Sequence, residues 1–211
     1  MAREAGLGAI SRSSVSRLCH ELRNRYRAFR ARSLADVELL ALFCDAIYLP
    51  VWPDADRQRC SVHRLRNILA KLPKDRALHD RIRASYWAAL DEAHSPATAE
   101  ASLRARVGGL ERPYPSAAAC LADDLPALTV HLRYPLRLRR RLRSTNLLER
   151  SLGEVRRRTK VIGRFPGETS CLSLAWAVMD LVIAGGRGLG LTLAEHHAIA
   201  ALVAARALPL V

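Results

Sequence analysis

A run of arginines in the last third of the chain most constrains how the chain can fold. Between Arg133 and Arg164 there are eleven arginines and one lysine against two glutamates. Such a segment cannot be buried, because an unpaired charge in an apolar interior is strongly destabilising. We therefore expect exposed helices here and a core elsewhere. Hydrophobic residues make up 50% of the chain, which is enough for a core and excludes a wholly disordered basic tail.

The charge pattern predicts a nucleic-acid partner. Residues 1–35 contain eight arginines against two glutamates, whereas the chain outside the two basic segments is nearly neutral and the net charge is +14. Only three of the 34 basic residues are lysines, and the arginine fork matches the geometry of a phosphate. Two solvated helix faces are the alternative interpretation. Few aromatic residues are present to stack on bases, so an RNA-binding or ribosomal-type protein ranks last.

The sequence lacks two features, a membrane span and a signal peptide, and this indicates the cellular compartment. No apolar run approaches the roughly 18–20 residues of a membrane span, and the first residues contain no apolar signal-peptide core. The five cysteines have no regular spacing, which is typical of reduced thiols. We expect a protein without a membrane segment, in a reducing compartment.

The first half of the chain contains a predicted helix and a predicted strand. Apolar residues recur at helical steps over residues 11–32, where Ser11 or Ser13 can act as the N-cap. This pattern is typical of the second half of a helix-turn-helix with Arg12 and Arg17 facing a DNA groove. Residues 37–51 form an apolar run around Asp45 and are predicted to be a buried strand. The Asp45 carboxylate would either bind a metal ion, cap a turn or pair with an arginine.

The chain from Cys60 onward is predicted to be mainly helical. It contains two candidate functional sites, one at Cys60 and His63 and the other at Glu149. Cys60 and His63 stand three apart on a predicted helix, which is half a zinc site at best. A helix near residues 97–107 is expected to end at Gly108 and Gly109. The helix starting at Asn146 carries Glu149 beside its apolar stripe, so we expect a half-buried acid there and a solvated one at Glu154. Glu149 is alternatively only a carboxylate favoured at a helix start.

Several segments together resemble the bacterial Mutator-type insertion-sequence transposases: RQRCSVHRLRN, RSTNLLERSLGEVRRRTKVIGRFPG, FCDAIYLPV and SRSSVSRL. The resemblance implies an RNase H-like α/β fold and a DDE site, in which three carboxylates hold two Mg²⁺ or Mn²⁺ ions that assist DNA cleavage and strand transfer at transposon ends. By this resemblance Asp45 is the first catalytic, metal-binding aspartate and Glu149 is the catalytic, metal-binding glutamate. Cys60 and His63 match the family's C-x-x-H signature, expected to be structural.

The sequence departs from this family between its first two motifs. Cys60 follows Asp45 by only 15 positions, whereas a parallel strand needs a crossover of about a dozen residues before it can pair again. The acids in this interval, Asp54 and Asp56, lack the expected context for the second aspartate. We therefore expect an internally deleted and N-terminally truncated copy, α/β by descent but mostly α-helical, with one or two remnant strands, exposed apolar surface and a tendency to oligomerise.

The resulting prediction is a transposase-family protein that is catalytically defective, or alternatively a non-catalytic DNA-binding protein that interferes with a full-length transposase. Its expected parts are a basic helix-turn-helix remnant (1–35), a deleted RNase H-like catalytic domain (36–184) and a helical tail (185–211). The expected partners are DNA at transposon ends and a second copy or full-length transposase, in the bacterial cytoplasm at the nucleoid. The predicted DNA contacts are Arg12, Arg17, Arg139, Arg140, Arg141, Arg143, Arg156, Arg157, Arg158 and Lys160.

Overall fold

The computed structural model describes residues 11–33, 56–186 and 190–207, and these are mostly helical. No strand occurs within those ranges, and the predicted strand at 37–51, with Asp45, lies outside them. The helices are α1 (Arg12–Ala31), α2 (Ser61–Leu69), α3 (Arg76–Asp91), α4 (Pro96–Glu111), α5 (Pro115–Ala122), α6 (Leu125–Thr129), a 3₁₀ turn (Val130–Arg133), α7 (Leu136–Leu142), α8 (Asn146–Thr159), α9 (Glu168–Ala184) and α10 (Leu193–Ala207). The mainly helical prediction is thus confirmed for the part of the chain that is described.

The chain divides into two units, Met1–Leu42 with Leu148–Gly188, and Phe43–Leu147 with Leu189–Val211. The second unit contains the larger core, in which α4 packs on α3, α5 and α6, and α2 packs on α5. Local signals start its helices: the Asp75 carboxylate accepts from two backbone N–H groups of α3, and Ser95 and Thr98 form a capping box on α4. The largest fully buried side chains of this core include Ile68, Tyr86, Leu90, Leu103 and Leu128.

A buried arginine connects helix α2 to the end of α5. The Arg64 side chain is only 4% exposed. Its guanidinium donates to the Cys120 carbonyl and to Asp123 Oδ2, the latter at 2.8 Å. Arg59 reaches the same Asp123 oxygen at 3.5 Å from a position that is 43% exposed. Asp123 therefore has one buried and one exposed arginine partner, and the hydrogen bond from Arg64 is the main cause that lowers the pKa of Asp123.

These two arginines are expected to differ in their contribution to stability. Replacing Arg64 with alanine should lower the free energy of unfolding by about 2 kcal/mol, because it removes buried packing and leaves the Cys120 carbonyl without its donor. The matched Arg59→Ala variant should cost less than about 0.5 kcal/mol, since an exposed ion pair contributes little. Urea unfolding of both variants measures the difference. Equal losses would show that burial of the guanidinium does not matter here.

The segment that precedes α2 is held against the 3₁₀ turn by side-chain hydrogen bonds. Gln58 Oε1 accepts from the His131 backbone N–H at 2.7 Å and lies 3.1 Å from His131 Nδ1. Asp56 accepts from Arg133 at 2.9 Å and from the Tyr134 hydroxyl at 3.3 Å. Burial first, and then the charges of nearby arginines, lower the pKa of His131 to about 4. The His131 ring is therefore neutral at physiological pH.

The first unit contains α1, α9 and most of α8. Helix α1 packs on α9, where the Trp176 ring centroid lies 6.2 Å from that of Tyr26 and 5.6 Å from that of Phe29. No residue of α1 is buried. Large apolar side chains of both helices are exposed, among them Leu18 (63%), Leu181 (63%) and Ile183 (71%). Across the described ranges, no helix combines the length and apolar character needed to cross a membrane.

Candidate nucleic-acid interface

Helices α7 and α8 carry most of the predicted DNA contacts. Helix α7 follows Pro135, which serves as its N-cap, and one apolar residue, Leu138, anchors it in the core at 1% exposure. The remaining positions of this short helix are mostly arginine and point to solvent. Helix α8 begins at Asn146, as predicted, and ends with three consecutive arginines and Thr159. Anchoring by Leu138 thus leaves most of the basic positions of α7 uncovered.

The structure separates the predicted DNA contacts on α7 into two groups. Arg140 and Arg141 are exposed and form no hydrogen bond or ion pair with any described residue. Arg139 is half-buried and donates to the Tyr134 carbonyl at 3.0 Å. Arg143 is 14% exposed, pairs with Asp91 and stacks 4.5 Å above the Trp87 ring. The geometry therefore favours Arg140 and Arg141 as phosphate contacts and gives Arg143 a role in holding the fold.

The basic residues of helix α8 also divide into side chains without a described partner and side chains paired with an acid. Arg156 and Lys160 are exposed, and their side chains have no partner among the described residues. Arg157 and Arg158 instead pair with Glu154, at 2.8 and 3.6 Å. The hydrogen bond from Arg157 is the main cause that lowers the pKa of Glu154. Arg150, which was not among the predicted contacts, is exposed and unpartnered in the same way.

The predicted helix-turn-helix contacts lie at the exposed start of α1. Of the two serines predicted as possible N-caps, Ser11 and Ser13, it is Ser11 that caps this helix, by accepting from the Ser14 backbone N–H at 3.1 Å. Arg12 is exposed, and Arg17 donates weakly to Ser14 Oγ at 3.4 Å. Both guanidinium groups can reach solvent, and their role in DNA binding stays a prediction.

Of the two predicted catalytic acids, the structure describes only Glu149. Its side chain is half-buried in the first turn of α8, as expected, and it makes contacts of its own there. Leu152, part of the predicted apolar stripe, is 38% exposed, so that stripe is only partly covered. Within residues 11–33, 56–186 and 190–207, no three His, Cys, Asp or Glu side chains come together in a group that could hold a metal ion. These ranges therefore do not provide a complete two-metal site.

The C-x-x-H residues lie where α2 meets the end of α7. Cys60 is the N-cap of α2 rather than part of the helix, and its Sγ lies 3.4 Å from the Thr145 backbone nitrogen and 3.5 Å from Thr145 Oγ1. The Ser61 N–H donates to the Arg143 carbonyl at 2.8 Å. His63 is half-buried in the first turn of α2. These contacts are consistent with a structural role, which stays a prediction.

One contact of helix α7, with helix α10, was not predicted from the sequence. Arg137 on α7 is paired with Glu195 on α10, and the guanidinium Nε lies 2.8 Å from Glu195 Oε1. The two residues are 58 positions apart, so no local spacing connects them. The spacing of Thr192 and Glu195 in the sequence predicts a capping box, and in the structure the Thr192 backbone N–H donates to Glu195 Oε2 at 2.8 Å. Nothing in that spacing indicated that the same carboxylate also reaches α7.

Comparison with known proteins gives a consistent family match. Residues 50–182 match the profile of a family described as "Transposase, Mutator family". The chain is 33% identical over 173 residues to the transposase for insertion sequence element ISRM5 of Rhizobium meliloti, covering 78% of this chain and 43% of that protein. It is 30% identical over 159 residues to the transposase for insertion sequence element IST2 of Acidithiobacillus ferrooxidans, covering 73% and 53%.

A third relative, the transposase for insertion sequence element IS6120 of Mycolicibacterium smegmatis, is 33% identical over 141 residues, covering 65% of this chain and 42% of that protein. The chain thus spans about half the length, or less, of these curated relatives. No solved structure is significantly similar to it.

Proposed function

Because the chain belongs to the Mutator family of transposases, we propose that it binds DNA through its basic helices and acts in transposition by that binding, without cutting DNA itself. Its relatives are named as transposases for insertion sequence elements, which supports the ends of such an element as the proposed DNA target. The RNase H-like descent of the fold, implied by the sequence resemblance, is part of the same proposal.

The observation that carries DNA binding is the set of exposed arginines without a partner among the described residues. Arg140 and Arg141 on α7, and Arg150 and Arg156 on α8, present guanidinium groups to solvent. Elsewhere in the chain exposed arginines such as Arg83 and Arg104 pair with an acid on their own helix. Uncompensated positive charge on a helix is the usual basis for binding a phosphate backbone, where releasing counterions supplies much of the affinity.

The proposed loss of cleavage rests on the short interval between Asp45 and Cys60. The 14 residues between them leave no room for the strand and crossover that would carry a second aspartate. The one acid of this interval that the structure describes, Asp56, has its carboxylate engaged by Arg133 and Tyr134. Mg²⁺ or Mn²⁺ held by Asp45 and Glu149 would lack a third carboxylate. A DDE site needs all three, since they fix the geometry of both ions.

The experiment that tests this function measures cleavage and binding side by side. The substrate is DNA carrying the ends of the parent insertion element, supplied with Mn²⁺, and the proteins are the chain as it stands and its Glu149→Gln variant. We expect no cleavage by either protein, and equal, salt-sensitive binding by both. Cleavage by the unchanged chain that disappears in Glu149→Gln would show that a complete catalytic site exists. Absence of DNA binding at low salt would overturn the proposal altogether.

A further inference from the structure

The contact between α7 and α10 has the chemistry of a phosphate site filled by a carboxylate. Arg137 presents Nε and one terminal nitrogen to the two oxygens of Glu195, at 2.8 and 2.5 Å, and the same terminal nitrogen donates to the Gly190 carbonyl at 2.8 Å. A two-pronged pair of this kind is the arrangement by which arginine also binds a phosphodiester. The Glu195 side chain is 12% exposed and the Arg137 side chain 50% exposed.

Arg137 shares its helix face with the unpartnered arginines of α7. Arg140 and Arg141 follow it at three and four positions, so the three side chains lie on one side of the helix. All three side chains are exposed to solvent, but the Arg137 guanidinium is engaged by Glu195 of α10, whereas Arg140 and Arg141 have no partner among the described residues. A phosphate backbone that approaches Arg140 and Arg141 would therefore meet Arg137 next, and would meet the Glu195 carboxylate with it.

Few apolar contacts hold helix α10 in place. None of its residues with a described side chain is buried, and Leu193 and Val203 are 71% and 57% exposed. A helix without buried apolar contacts gains little from packing, so polar contacts such as the one with Arg137 matter more for its position. Because the Arg137 side chain of this ion pair is half exposed, an incoming anion can compete with Glu195 for its guanidinium.

We propose that Arg137 is a further DNA-phosphate contact, and that Glu195 on α10 occupies its guanidinium fork when DNA is absent. DNA binding along α7 and docking of α10 then compete for one side chain. This inference rests on the DNA binding proposed above and adds to it both a contact residue and an internal competitor. The low pKa of Glu195, about 2 because Arg137 and Thr192 donate to its carboxylate, keeps this competitor charged at every physiological pH.

The test is a binding cycle on a short fluorescent DNA duplex, with salt titrations. Glu195→Gln keeps an oxygen that can accept from Thr192 but removes the charge that holds Arg137. We expect about a five- to tenfold gain in affinity over the unchanged chain. The matched control is Glu111→Gln, which removes one exposed acid at the end of α4 and should change affinity less than about twofold. In the Arg137→Ala background, Glu195→Gln should bring no gain.

Each outcome separates this inference from the proposed function. Suppose that the unchanged chain binds DNA. If Glu195→Gln then gains no more affinity than Glu111→Gln, or gains as much affinity when Arg137 is replaced with alanine, the competition is refuted and DNA binding stands. If neither the unchanged chain nor Glu195→Gln binds, both fall. Limited proteolysis gives an independent readout, because DNA should speed cleavage within α10 of the unchanged chain. Unaltered protection of α10 by saturating DNA would contradict its displacement.

Discussion

Replacing Arg140, Arg141, Arg150 and Arg156 with alanine together is expected to weaken DNA binding about a hundredfold at moderate salt. These four guanidinium groups are exposed and have no partner among the described residues, so their removal costs the fold little. Each phosphate contact contributes about 0.9 to the slope of log affinity against log salt. If all four engage DNA, the slope should fall by about three to four. Fluorescence anisotropy on a DNA duplex at several salt concentrations measures both quantities.

A matched variant separates contact from overall charge. Arg66, Arg76, Arg81 and Arg112 are also exposed, but they lie on or beside helices α2 to α4, outside both basic segments. Changing all four to alanine removes the same four charges and should lower affinity less than about threefold, through long-range screening alone. Equal losses in the two quadruple variants would mean that net charge, rather than the faces of α7 and α8, attracts DNA.

Local patterns in the sequence predicted the described helices well where a cap or an apolar stripe was present. Ser11, Asn146 and the pair of Thr192 and Glu195 all start helices as predicted. One expectation was wrong: Gly108 and Gly109 do not end α4, which continues to Glu111. Glycine weakens a helix by only about 1 kcal/mol. The burial of Leu110, 7% exposed in the core against neighbouring helices, is large enough to override that cost.

The candidate interface could be predicted only in part, because a sequence shows which residues are charged but not which distant residues they contact. The sequence showed that α7 and α8 would be basic. It could not show that Arg143 pairs with Asp91 and stacks on Trp87, since these contacts join residues more than 50 positions apart. The same limit applies to Arg64 and to the fork of Arg137. Asp45 lies outside the described residues, so its predicted catalytic role stays a prediction.

Acidification is expected to destabilise the larger unit through His131. This ring is 1% exposed, and burial with the charge of Arg143 lowers its pKa from an ordinary 6.5 to about 4. Between these values the unfolded chain binds a proton that the folded chain does not. The stabilisation is therefore complete above about pH 6.5 and is lost progressively as the pH falls toward 4. The shift corresponds to about 3 kcal/mol in the free energy of unfolding.

The His131→Gln variant isolates this contribution from the general acid sensitivity of the carboxylates. Glutamine cannot titrate, so the variant should be less stable than the unchanged chain near neutral pH, and the gap should narrow by about 3 kcal/mol by about pH 4. Urea unfolding at a series of pH values follows both proteins. The control is His94→Gln, an exposed position whose replacement should leave the pH profile unchanged. A gap that stays constant with pH would mean that His131 titrates alike in the folded and unfolded chain, so that its burial does not couple folding to protonation.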